Sequence, residues 1–163
     1  MEKSTLIDPI ITLLDASLEA RGYLRTKSTF RKAGPDVDLV IDVQSAPASP
    51  SAAIDVTIEL GAFAEKLEKR DATTSAWPAH WRQRIGYVMP QGTDLWWVID
   101  SADKAEAAGQ QIVRYVERYA LPALREVASL QGLEALWRSG HSPGLTDMQR
   151  HCNLERLKQL QAL

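Results

Sequence analysis

A chain of 163 residues with 45% apolar and 25% charged side chains is long enough to bury a core of its own without staples, and its composition argues against a disordered chain. A net charge of −2 excludes a global positive field for holding a polyanion, so nucleic-acid binding would need a local basic patch. Cys152 is the one cysteine, which rules out an intramolecular disulfide and points to a reducing, cytoplasmic setting.

The chain opens on a helix pattern. Ser4 is placed to cap it, Pro9 sits in its opening turns, and Leu6, Ile10, Leu14 and Leu18 recur at helical spacing with Ile7 and Ile11 beside them. Gly22 stands where a C-terminal cap belongs. Asp8, Pro9 and Asp15 interrupt the apolar residues, so this stretch is no signal peptide, and no run in the chain approaches the roughly 20 apolar residues needed to span a bilayer.

Strands follow. Phe30 lies in an alternating stretch from Arg25 to Lys32. Val37, Leu39, Ile41 and Val43 alternate with Asp38 and Asp42, and Ile54, Val56, Ile58 and Leu60 alternate with Asp55, Thr57 and Glu59. Alternation of this length predicts half-buried antiparallel strands. Gly34-Pro35 predicts the turn of a hairpin in which Ala33 faces Asp36, Arg31 faces Asp38 and Lys27 faces Asp42, while Phe30 meets Leu39 on the other face. Pro47 to Ser51 reads as a looser link, and Glu65 to Pro78 as a surface loop or short helix. His80 to Met89 reads as a strand or irregular edge, and Asp94 to Asp100 as a further strand.

Helices close the chain. Ser101 or Asp103 starts a long one that runs past Tyr119, and Pro122 should kink or divide it, since proline lacks the amide that the preceding turn needs. Ser129 caps a short helix carrying Leu133 and Trp137, which Gly140 ends. After a loop at His141 to Gly144, a last helical segment carries Leu154, Leu157 and Leu160, read as packing on the chain's own core. Strands and helices are segregated. The expected architecture is therefore α+β: one domain over residues 1–163, with an antiparallel meander of about four to five strands packed against an N-terminal helix and C-terminal helices.

One block stands out chemically. Four of the five tryptophans fall between Trp77 and Trp97, around His80-Trp81-Arg82-Gln83-Arg84-Ile85-Gly86 and Trp96-Trp97. On a strand, His80, Arg82 and Arg84 share one face and Trp81, Gln83 and Ile85 the other. One reading is a ligand site of His80, Trp81, Arg82, Arg84, Trp96 and Trp97, with arginine forks suited to carboxylate or phosphate. The other is structural: Arg82 and Arg84 pair with the acidic face formed by Asp38, Asp42, Asp55 and Glu59, and the tryptophans fill core. Adjacent strand residues point to opposite faces, so Trp96 and Trp97 cannot both enter one core.

Other chemistries find less support. The acidic face reads as solvated sheet neutralised by Lys27 and Arg31, not as a metal site. His141, His151 and Cys152 lack zinc-ligand spacing, and Cys152 reads as a small packed hydrophobe rather than a nucleophile. No phosphate-binding glycine loop, nucleophile elbow or dinucleotide fingerprint is present, and no cofactor is expected.

Phe30-Arg31-Lys32, Ile58-Glu59-Leu60-Gly61, the His80–Gly86 block, Trp96-Trp97 and Tyr119-Ala120-Leu121-Pro122 occur in this order. Together they resemble a bacterial domain of unknown function, family 4304, from the first helix to about Trp137, leaving residues 140–163 as a helical extension outside the likeness. The resemblance implies an α+β domain of a bacterial cytoplasmic protein and brings no assigned reaction. The expectation is a non-catalytic binding domain with a protein partner or a small anionic ligand. The alternatives are an enzyme on phosphate- or carboxylate-bearing substrates with His80 as acid–base, and a neutralising partner of a toxin-like protein. In the binding reading, Arg82→Ala and Arg84→Ala weaken capture without unfolding the chain; in the structural reading they cost stability.

Overall fold

Period-two alternation builds one antiparallel sheet. In the structure, a computed structural model that describes residues 3–47, 52–68 and 79–163, the strands are β1 (Leu24–Thr26), β2 (Thr29–Lys32), β3 (Asp38–Pro47), β4 (Ile54–Phe63), β5 (Trp81–Arg84) and β6 (Trp97–Ile99). The order is β1-β2-β3-β4-β5, with β6 also pairing β4. β5 runs beside Glu59–Ala62 and β6 beside Ile54–Val56, so the two lie end to end along one edge of β4. Six strands replace the expected four to five because the stretch from Arg25 to Lys32 folds back on itself. Thr26 faces Thr29 across a two-residue loop in which Lys27 takes φ 56°, and two strands form where one was expected.

The predicted hairpin register is corrected by two residues. Thr29 faces Asp42, Phe30 faces Ile41 and Lys32 faces Leu39, so Lys27 lies outside this pairing, in the β1–β2 turn. An even slip keeps every side chain on its expected face, which is why the pattern survives the error. The Arg31 guanidinium still meets Asp38, at 2.6 Å, by reaching diagonally. The connection is wider than a tight Gly-Pro turn because Val37 tucks into the core and the Asp38 carboxylate accepts the Gly34 N–H at 3.1 Å.

Phe30, Leu39, Ile41, Val43, the even-numbered residues of β4, Trp81, Trp97 and Ile99 form the buried sheet face. The helices α2 (Asp8–Glu19), α3 (Ala102–Tyr115), α4 (Leu121–Glu126) and α5 (Leu130–Arg138) bury Ile10, Leu14, Leu18, Ile112, Leu124, Leu133 and Trp137 in the same core. α2 opens at Asp8 with Pro9 in its first turn, after a separate helical turn α1 (Lys3–Leu6), so the N-terminal helix does not run unbroken from Ser4. Ser101 caps α3 by accepting the Lys104 N–H, and Ser129 caps α5 by accepting that of Gly132. The link at 48–51 and most of the loop at 69–78, with Trp77 and Pro78, lie outside the described residues.

The helix is divided ahead of Pro122, as expected, while its helical backbone continues past the proline. Its turn Val116–Ala120 widens to π geometry, with the Leu121 N–H donating to the Val116 carbonyl, and α4 continues with Pro122 near its start. The proline ring would press on the carbonyl one turn back, and a wider turn accommodates it.

α6 (Asp147–Gln161) follows a capping box of Thr146 and Gln149 and places Leu157 in the core, with Leu154 and Leu160 packed against it. The loop before it occupies the free edge of β5, where the Pro143 carbonyl accepts the Arg82 N–H at 3.0 Å. Gly144 has φ 84°, and a Cβ there would stand 2.6 Å from the Arg82 Cβ. Gly144→Ala is expected to cost about 2 kcal/mol, from the left-handed backbone together with this clash, read as a lowered urea midpoint with an unchanged slope.

Candidate functional site

Alternation along β5 sends its side chains to two destinations. Arg82 turns to the outer face, where it pairs with Glu59, a carboxylate buried at 4% exposure on the neighbouring strand. Arg84 pairs with Asp94 at 2.9 Å, and the same Asp94 oxygen accepts the Trp96 indole N–H, also at 2.9 Å. The Arg84 guanidinium lies 5.3 Å above the Trp96 ring, so one carboxylate fixes both partners of a cation–π pair. The rest of this face is held in the same way: Asp42 accepts from Thr29 at 2.8 Å and Asp38 holds Arg31. Burial raises the Asp42 carboxyl above its usual range, against the pull of Thr29, Gln44 and Arg82.

The tryptophan pair divides as strand geometry requires. Trp96 is 36% exposed on the outer side, while Trp97 is buried and donates its indole N–H to Gln111 at 2.7 Å. Gln111 in turn donates to the Tyr115 hydroxyl at 3.1 Å.

His80 sits just before β5, 3% exposed and stacked on Phe63 at 5.3 Å. Its Nδ1 accepts the Ala64 N–H at 2.9 Å, and its Nε2 lies 3.0 Å from a Glu68 carboxylate oxygen. This arrangement selects the neutral tautomer with the proton on Nε2. Burial, with the nearby Arg156 charge, pushes the imidazole down to about 4. Glu68 pulls the other way, but it is partly solvated, and a second ring proton would break the Ala64 hydrogen bond.

The six residues singled out by sequence therefore do not converge. Trp81 and Trp97 belong to the helix side of the sheet, Arg82, Arg84 and Trp96 to the outer side, and His80 is enclosed between β4, Glu68 and Phe63. Cys152, expected as a packed hydrophobe, is instead exposed on α6. No helix among the described residues is long and apolar enough to cross a membrane.

A concave site does lie beside β5, on its helix side. A cleft of about 680 Å³ is walled by Trp81 and Gln83 from β5, Arg118 and Tyr119 from the π-helical turn, Pro122 and Glu126 from α4, and Leu136 from α5. The volume falls in the range that takes small organic ligands. Tyr119 stands 6.1 Å from Tyr115, which stands 6.3 Å from Trp97, so an aromatic row leads from β6 toward the cleft. The Arg118 guanidinium lies 5.4 Å over the Tyr119 ring and makes no ion pair among the described residues. Arg118, Tyr119, Gln83 and Glu126 escaped the sequence reading. Pro122 was the available signal, since it forces the π turn that carries Arg118 and Tyr119.

The family model described as domain of unknown function (DUF4304) matches residues 14–126, more than two thirds of the chain. The match ends with α4 rather than near Trp137, so both α5 and α6 lie beyond it. No curated protein and no solved structure matches the chain.

Proposed function

Because the chain belongs to the DUF4304 family, whose description names no function, we propose from its own geometry that it is a binding domain and that its ligand enters the cleft between β5 and the π-helical turn. The observation that carries this reading is a guanidinium, on Arg118, that lines an aromatic-walled concavity and makes no ion pair among the described residues. Such a site suits a ligand with an apolar body and a carboxylate, because the aromatic wall takes the apolar body and the exposed guanidinium offers a charge-assisted hydrogen bond. The outer-face arginines have less to offer, since Glu59 and Asp94 already engage them. The acid–base alternative has less support, since both ring nitrogens of His80 make contacts within the chain. We also take the chain to work in a bacterial cytoplasm, as the family resemblance implies; the exposed lone thiol of Cys152 supports a reducing compartment.

Titration with 3-phenylpropanoate and its uncharged analogue 3-phenylpropanol, followed by amide chemical shifts, tests the proposal. The acid is expected to shift Gln83 and Tyr119 and to bind more tightly than the alcohol. Arg118→Gln should weaken the acid about 10-fold or more, in line with roughly 1.5–3 kcal/mol for a hydrogen bond to a charged group. Lys104→Gln, which removes an equal charge elsewhere, should leave binding unchanged. If neither compound moves a cleft amide at millimolar concentration, the cleft is not the binding surface.

A further inference from the structure

Resting on that reading, we infer that α5, a helix outside the matched family domain, decides which apolar body the cleft accepts, through Ala135 and Leu136. The family match stops at Glu126, at the end of α4. Arg118 and Tyr119 therefore belong to the family domain, while Gly132, Ala135 and Leu136 on α5 complete the lining from beyond it. The guanidinium of the site thus comes from the domain, and part of its apolar wall from the helix that follows.

Helical spacing explains why these three share the cleft. Leu133 and Trp137 are fully buried and hold α5 on the core. At about 3.6 residues per turn, positions 132, 135 and 136 form a stripe beside that buried face rather than on it. Gly132 fixes how near the stripe comes to the end of α4, because a Cβ there would overlap the Glu126 carbonyl oxygen. The two backbones are therefore in contact, and the bulk at Ala135 and Leu136 sets how much of the cleft an apolar body can fill. The rest of the apolar wall is less free to vary. Trp81 belongs to the core, and Tyr119 is in contact with both Arg118 and Tyr115. Ala135 is exposed and Leu136 half-buried, so a change at either reshapes the cleft without emptying the core. One methylene more or less in an apolar pocket is worth roughly 10–200-fold in discrimination, which is enough for two positions to set selectivity.

The test compares 3-phenylpropanoate with the bulkier 3-(2-naphthyl)propanoate on the whole chain, with affinities read from the amide shifts of Gln83 and Tyr119. Leu136→Ala is expected to raise the naphthyl-to-phenyl affinity ratio about 10-fold, and Ala135→Leu to lower it by about the same factor. Leu136→Met, of nearly equal volume, should keep the ratio within about 2-fold of the parent. Ala135→Leu changes an exposed helical position to a good helix former, so it carries the test even if Leu136→Ala fails to fold. A ratio that neither variant moves, while Arg118→Gln still weakens both acids, overturns the inference and leaves the carboxylate reading standing. If neither acid shifts a cleft amide of the parent chain, the carboxylate reading fails and this inference fails with it.

Discussion

Arg82→Ala is expected to lower the unfolding free energy by about 3 kcal/mol, the low end of the range for stranding a buried ion. Its partner Glu59 keeps only 5% of its side chain exposed, so removing the guanidinium leaves a carboxylate that water cannot readily reach. Glu59 also stands directly across from Asp42, and Arg82 is among the groups that hold the Asp42 charge. Two facing carboxylates would then share a desolvated patch of sheet without their common cation. The loss stays at the low end because Arg82 itself is 45% exposed, and screening weakens what it contributes. Arg84→Ala provides the contrast. Asp94 is 32% exposed, so that pair should be worth at most about 1 kcal/mol. The double change Arg82→Met with Glu59→Leu should recover most of the loss, since apolar residues of similar size replace a buried pair well. Urea unfolding at pH 7 reads all three. An Arg82→Ala chain within about 0.5 kcal/mol of the parent would show that the pair is not structural, and would return Arg82 to the ligand-binding candidates.

The split between Arg82 and Trp81 was legible because strand alternation is a two-residue rule with no long-range terms. The same rule separated Trp96 from Trp97 and identified the faces of β3 and β4. Hairpin register was less legible. Charge pairing of Arg31 with Asp38 fits two registers equally, because a long guanidinium side chain reaches a diagonal neighbour as easily as a direct one. Val37 decided between them by burying itself in the turn, and a one-dimensional pattern carries no sign of that. The cleft was hidden for a related reason. Trp81 and Gln83 meet Arg118 and Tyr119 only because β5 and the π turn pack together from positions more than thirty residues apart. The loop from Gly140 to Thr146 is a third case, since nothing local in it announces that Pro143 will close the edge of β5.

His80 carries the second large effect, and its sign is that of an ordinary paired carboxylate, with stability lost as pH falls. Held neutral at about 4 in the folded chain against about 6.5 when unfolded, it makes the unfolded state the first to take up a proton as pH falls. Stability should therefore drop between about pH 6.5 and pH 4, by about 3 kcal/mol from this group, and level off for it below that window. Asp42 works in the other direction. Its raised folded value lets the native state protonate first, so its contribution rises as pH falls toward the ordinary carboxylate range. His80→Asn separates the two, because an asparagine oxygen can still accept the Ala64 N–H while carrying no titrating ring. The variant should be less stable at pH 7, having lost the Phe63 stack and the Glu68 contact, and that deficit should shrink by about 3 kcal/mol on going to pH 4. Urea unfolding of both chains at half-unit pH intervals measures the deficit, and the His80 ring proton shift gives the folded-state titration directly. A ring that titrates near 6.5, or a deficit that stays constant with pH, would mean that the imidazole is open to solvent, and it would favour the acid–base reading of His80.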